Sequence, residues 1–241
     1  MKLRNKLKSG IILILTLLFI VIISNFVSAE EVIGEVGNVT VTDSLVWTWI
    51  DFEASYDSTP VIIATITTMN NCPGTCSGTS SGNGGNTQTP LIADVTTLGF
   101  NFSMCIDAGS TTCATGMVAE TFDYFVFNVD VADTLDWIEV GTKSATTNGA
   151  NTAISYTTSF AGTPDVWTTA QTYAQAGEIG VHSWIDDKTA SGANILGCVH
   201  TGTADACDTN NPAETFGYVA IDISEEAFGA AVNFQAGSAD Q

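Results

Sequence analysis

The sequence predicts an all-β protein: two tandem antiparallel β-sandwich domains of about six strands each, produced by an internal duplication. Three observations carry this expectation. The chain aligns with itself from Glu35-Val36-Gly37 on Glu139-Val140-Gly141 to Thr59-Pro60 on Thr163-Pro164, at an offset of 104 residues throughout. Short runs rich in aromatic and β-branched residues recur in each copy, separated by Gly, Pro, Asn and Thr clusters. No window after residue 30 keeps a 3.6-residue apolar period.

Taken in order, the first copy opens with a strand over Val46–Phe52, where Ile50 matches Ile154 and Phe52 matches Tyr156 of the second copy. Trp47 and Trp49 share one face of that strand, which reads as core packing. Tyr56 matches Phe160, and the Thr-Pro pairs place Pro60 and Pro164 at strand starts, where a missing N–H does little harm. Val61–Thr68 follows as a strand. The offset then falls to 93, pairing Gly99 with Gly192, Cys105 with Cys198 and Gly109 with Gly202. The change falls at one place, where the first copy carries an extra loop from Cys72-Pro73-Gly74-Thr75-Cys76 to Thr89. Phe100–Ile106 alternates at period two, and Phe122–Val131 is the last strand of the copy. It begins in Glu120-Thr121-Phe122-Asp123-Tyr124, which matches Glu214-Thr215-Phe216-Gly217-Tyr218 at an offset of 94. The tail, Ala231–Gly237, lies where Trp137–Lys143 follows the first copy. It is expected as a strand folded back as a hairpin on the second domain, or paired with another subunit.

Residues 1–29 read as a signal peptide: Lys2, Arg4, Lys6 and Lys8, an apolar run Ile11–Ile23 broken only by Thr16, and the small-residue site Val27-Ser28-Ala29. The alternative is an uncleaved anchor, which would be the only link to a membrane. The expected domains are therefore 30–132 and 133–241, secreted or displayed at the cell surface. Beyond the signal the chain holds 26 acidic residues against Lys143 and Lys188, a formal charge of −24. Such a surface cannot neutralise phosphates, so nucleic acid is excluded as a partner. A hydrophobic content of 45% excludes intrinsic disorder.

Six cysteines suit an oxidising compartment, and their spacing suggests the local pairs Cys72–Cys76, Cys105–Cys113 and Cys198–Cys207. A zinc site from Cys72, Cys76, Cys105 and Cys113 is the rival, with spacing unlike a zinc knuckle. Two sequons, at Asn38 and Asn101, are compatible with glycosylation. The only histidines are His182 and His200, and no GxSxG, HExxH or phosphate-binding glycine loop occurs. No catalytic residue is therefore assigned, and the protein is not expected to be an enzyme. No cofactor is assigned, but Asp205, Asp208 and Asn210 offer hard oxygen ligands suited to Ca²⁺, beside the plainer reading of a solvated acidic loop. Trp184 stands near His182, Asp186 and Asp187. A ring face with carboxylates beside it suits a sugar, so these four form the candidate ligand patch, against core packing of Trp184.

These residues together resemble the H-type lectin domain and its relatives in secreted multidomain proteins. The resembling pattern in each copy is an aromatic strand (Ile50-Asp51-Phe52; Ile154-Ser155-Tyr156), an aromatic four residues later and Thr-Pro before an apolar strand. It continues through Thr96 to Gly99, or Thr189 to Gly192, and closes with Glu-Thr-Phe-x-Tyr and an apolar strand. The resemblance implies six-stranded antiparallel sandwiches that bind N-acetylgalactosamine-type sugars, often as trimers or hexamers. Its sugar-binding members generally use an arginine, and the only one here is Arg4, in the signal segment. The expected function is a glycan-binding or adhesion module whose partner is a glycan or cell-surface polymer. The alternative is a homo-oligomeric subunit of a surface layer or filament, joined through edge strands and cation bridges.

Overall fold

Period-two burial organises every long strand. In Glu120–Phe127 the residues Glu120, Phe122, Tyr124 and Val126 point inward, while Thr121, Asp123, Phe125 and Phe127 point outward. A computed structural model describes residues 33–68, 70, 87–107, 113–174, 180–199, 207, 211–222 and 234–236, so the signal segment lies outside them. The first copy holds β1 (Gly34–Val41), β2 (Thr48–Asp51), β3 (Val61–Ile66), β4 (Thr87–Ala93), β5 (Gly99–Asp107) and β6 (Glu120–Phe127). They form two antiparallel sheets, β1-β6-β3 and β2-β5-β4. The second copy holds β7 (Ile138–Ala145), β8 (Asn148–Ser155), β9 (Asp165–Ala170), β10 (Val181–Thr189), β11 (Gly192–Val199) and β12 (Glu214–Ile221). Its sheets, β7-β12-β9 and β10-β11-β8, repeat the same order at equivalent positions. Pro60 and Pro164 immediately precede β3 and β9, as their missing N–H predicts. A single helical turn, α1 (Val129–Ala132), joins the copies. Its first N–H groups are capped by the Asn128 side chain, which accepts from the Asp130 amide at 3.1 Å.

The repeated motifs hold the loops in place. Glu35, buried, accepts hydrogen bonds from the amides of Glu53 (3.0 Å) and Ala54 (3.1 Å). Glu139 accepts from the amides of Thr157 (2.6 Å) and Thr158 (2.7 Å) and from the Tyr218 hydroxyl (3.1 Å). Gly37 and Gly141 leave room for the Tyr124 and Tyr218 rings. A Cβ there would fall 2.3 and 2.6 Å from the tyrosine hydroxyl oxygens. Glu120 and Glu214 accept from Thr68 Oγ1 (2.6 Å) and Thr172 Oγ1 (2.5 Å). These carboxylates satisfy groups that would otherwise be buried without partners.

Three expectations change. The strand expected over Phe122–Val131 ends at Phe127, and Val129–Ala132 forms the helical turn α1 instead. The tail strand, β13 (Phe234–Ala236), is neither a hairpin on the second copy nor shown paired with another subunit. It adds in parallel to the outer edge of β1, with Gly34 opposite Phe234 and Val36 opposite Ala236. A sheet edge offers unpaired N–H and C=O groups, and β1 is the edge of the first copy. Trp47 and Trp49 are not core residues. They are 37% and 43% exposed, because in this short strand it is Ile50 that turns inward. Trp49 Nε1 instead donates to Asp51 Oδ1 at 2.7 Å.

The copies meet asymmetrically. Val61, Ile63 and Phe127 of the first pack with Ile138, Val140 and Val219 of the second in one apolar cluster. Gly217 permits the close approach, since a Cβ on it would lie 2.6 Å from Val61 Cγ1. Gln171 covers the edge of β3. Its Oε1 accepts from the Ile62 amide at 2.9 Å, and its Nε2 donates to the Ile62 carbonyl at 2.7 Å. The Ala64 amide donates to Thr169 Oγ1 at 3.3 Å. One repeat thus offers the outer face of β3 and the other that of β12, a head-to-tail contact.

Candidate functional site

Strand β10 carries the candidate ligand patch. Val181 and Ile185 point into the second core, so His182, Trp184 and Asp186 share the outward face. Trp184 is 41% exposed and is not a core residue. Asp187 does not join the three. It sits at a register shift, with φ 49°, and its Oδ2 accepts from Asn194 Nδ2 at 3.0 Å. Asp94 (φ 51°) and Asn101 make the same pair in the first copy at 2.8 Å. Both aspartates adopt the left-handed region, which short polar side chains tolerate. Asp187 is thus a bulge residue of β10 whose aspartate–asparagine pair recurs in the first copy.

His182 faces the first copy. The Thr89 hydroxyl oxygen lies 3.2 Å from each of its ring nitrogens. Around this contact is a polar cleft of about 160 Å³ lined by Gln88 and Thr89 on one side, and Thr168, Thr169, His182 and Ser183 on the other. Gln88 Nε2 donates to Glu120 Oε1 at 2.9 Å. Its Oε1 is buried and accepts no hydrogen bond from the described residues. Ser183 Oγ donates to the Thr168 carbonyl at 3.2 Å. The arrangement can orient hydroxyl groups beside an exposed indole face.

Thr89 and Gln88 were missing from the sequence-predicted patch. Their partner His182 lies 93 residues away in the other copy, and only the fold of one copy on the other joins them. The offset itself was a usable signal, since Thr89 and His182 occupy equivalent positions. Asp205, Asp208 and Asn210, Cys72 and Cys76, and His200 lie outside the described residues. Among the described residues no three His, Cys, Asp or Glu side chains cluster as metal ligands.

Disulfides join Cys105 to Cys113 and Cys198 to Cys207, which fits an oxidising, extracellular environment. Asn38 is exposed on β1, while Asn101 sits within β5 with its amide held by Asp94. A buried Glu35 carboxyl is raised above the ordinary range by desolvation, which outweighs its two amide donors. Asp43 shifts the other way. Despite some desolvation, amides of Gly116, Met117 and Ser44 hold it below the usual carboxylate range.

A second concavity lies on the outer faces of β3, β6, β9 and β12. It is an apolar groove of about 420 Å³. Among its walls are Phe125, 38% exposed, and Trp167, 46% exposed. Sequence reasoning missed it. The signal was the period itself, because inward Phe122, Tyr124 and Val126 leave Phe125 and Phe127 outward.

No family model, curated protein or solved structure matches the chain.

Proposed function

We propose that this is a secreted or cell-surface protein of two H-type lectin-like sandwiches that binds glycan through the outward face of β10. Trp184 supplies a stacking surface, Asp186 accepts sugar hydroxyls, and the cleft of Thr89, Gln88, His182 and Ser183 takes a neighbouring hydroxyl group. The observation that carries this reading is the exposed Trp184 on the same strand face as His182, beside the polar cleft. Tryptophan is enriched at interfaces, where one end of the ring is apolar and the other wet. Stacking on Trp184 and hydroxyl contacts at Asp186 suit a neutral, hydroxyl-rich sugar without an arginine. Export rests on the signal-like leader and on disulfide chemistry.

The test is a pull-down with cell-wall or mucin-type polysaccharide. Wild-type protein should be retained. Trp184→Ala should lose about tenfold or more in affinity, the scale of a lost aromatic anchor. Retention equal in both proteins, or none in either, overturns the proposal.

A second reading is favoured by β13. Its addition to β1 is strand augmentation already practised within the chain, and the same edge chemistry would join subunits into a surface layer or filament. Electron microscopy with and without Ca²⁺ separates the two, because ordered polymers appear only if this reading holds.

A further inference from the structure

The apolar groove is built from the same three positions of each repeat. Ile63, Phe125 and Phe127 of the first copy face Trp167, Val219 and Ile221, which are their equivalents in the second. Its volume falls within the range of small-ligand sites, about 300–1,000 Å³, and Thr65 is its one polar lining residue. Asp123 stands beside that end. It pairs in register with Thr65 and lies two residues before Phe125 on the same outward face of β6. Asp165 lies near the other end, opposite Ile221, and its carboxylate already holds Lys188 at 3.2 Å. Asp123, beside the Thr65 end of the groove, has Asn38 and Thr65 as its cross-strand neighbours, so neither flanking strand sets a base against it.

Three occupants can be compared. An extended peptide would need a free strand edge along the groove, and the β3 edge is already covered by Gln171 and Thr169. A second copy docking as the repeats dock on each other would place the counterpart of Val61 against the counterpart of Gly217. Those residues are Asp165 and Asp123, two carboxylates. Desolvating the Asp165–Lys188 pair together with a further carboxylate opposes it. A small amphiphile fits both the apolar walls and the carboxylate at the end, and cations also bind favourably over aromatic faces.

We propose that the groove between the repeats binds a small amphiphile with an apolar body and a cationic, ammonium-type head, the body lying between Phe125 and Trp167 and the head at Asp123. This site is separate from the β10 patch and stands whether or not that patch binds glycan.

Calorimetric titration of the purified protein with decyltrimethylammonium, decyl maltoside and decyl sulfate, each below its micelle concentration, tests it. Near-ultraviolet dichroism monitors the fold. The cation should bind saturably at one per chain, about tenfold tighter than the uncharged maltoside, and the sulfate should bind weakest. Trp167→Ala should weaken cation and maltoside alike, whereas Asp123→Asn should bring the cation down to the maltoside value and leave the maltoside unchanged. Asp51→Asn, remote from the groove, should change neither. The proposal fails if Trp167→Ala binds as wild type, or if Asp51→Asn weakens the cation as much as Asp123→Asn does, which marks diffuse attraction to an acidic surface. It also fails if the protein binds no probe but self-associates on sedimentation in a way that Trp167→Ala abolishes, which assigns the groove to a second copy.

Discussion

Glu139 shows why the repeated motifs recur. One carboxylate accepts from two amides, a threonine hydroxyl and the Tyr218 hydroxyl. Glu139→Ala leaves the Thr157 and Thr158 amides without their acceptor and should cost about 1–3 kcal/mol per uncompensated group, measured by urea unfolding. Tyr218→Phe removes one donor and should cost less. The same environment gives a pH dependence. Burial first, then the nearby Glu35 or Glu139, pushes the Tyr124 and Tyr156 phenols up to about 12, and Tyr56 and Tyr218 in the same direction. In the unfolded chain these phenols ionise at the ordinary value of about 10. The folded state therefore holds more protons above that value, so stability is full below it and falls as pH rises from about 10 toward 12. Denaturant titrations across that range should show the fall, and Tyr124→Phe should lessen it. The positions of Glu35, Glu139, Gly37 and Gly141 were legible as a repeat. Their roles were not, because spacing along the chain does not reveal that a carboxylate reaches amides 18 residues away.

At the level of elements, strands were legible wherever alternation was strong, as in β5 and β6, and wherever Thr-Pro marked a start, as in β3 and β9. Trp47 and Trp49 misled, since a shared face does not say which face is covered. The same-face aromatics point out, and Trp47 rests on Tyr173 of the other repeat, with ring centroids 5.8 Å apart. The β13 partner was illegible, because a sheet edge accepts a strand from any sequence distance. Two element-scale predictions follow from close contacts. Gly99 and Gly192 lie where a Cβ would fall 2.2 and 2.4 Å from the carbonyl oxygens of Ile50 and Ile154. Gly99→Ala or Gly192→Ala should therefore force β5 from β2, or β11 from β8, costing about 1–3 kcal/mol or more in thermal denaturation. Gln171→Ala removes both partners of a buried Ile62 peptide group. Hydrogen exchange at the Ile62 amide should then quicken, while exchange at the central strands β5 and β11 stays slow.

For the whole molecule, the duplication explains more than the fold. Both copies keep the residues that fix loops, but they differ where they meet. Val61 and Gly217 form the seam, while their counterparts Asp165 and Asp123 are acidic, so the equivalent pairing would bring two carboxylates together. Gly217→Asp should place a carboxylate against Val61 and uncouple the repeats. Calorimetry should then show two transitions where wild type shows one. The high acidity and the repeat were legible from composition and self-alignment. The inter-repeat cleft was not, since it depends on which faces the copies bury. In the proposed function, β10 presents a glycan-binding surface with Trp184 as its anchor. A glycan microarray probed with wild type, Trp184→Ala and Trp49→Ala tests it most directly. Selective binding by wild type and Trp49→Ala, lost in Trp184→Ala, is the predicted result; absence of binding by all three, or retention by Trp184→Ala, would contradict it.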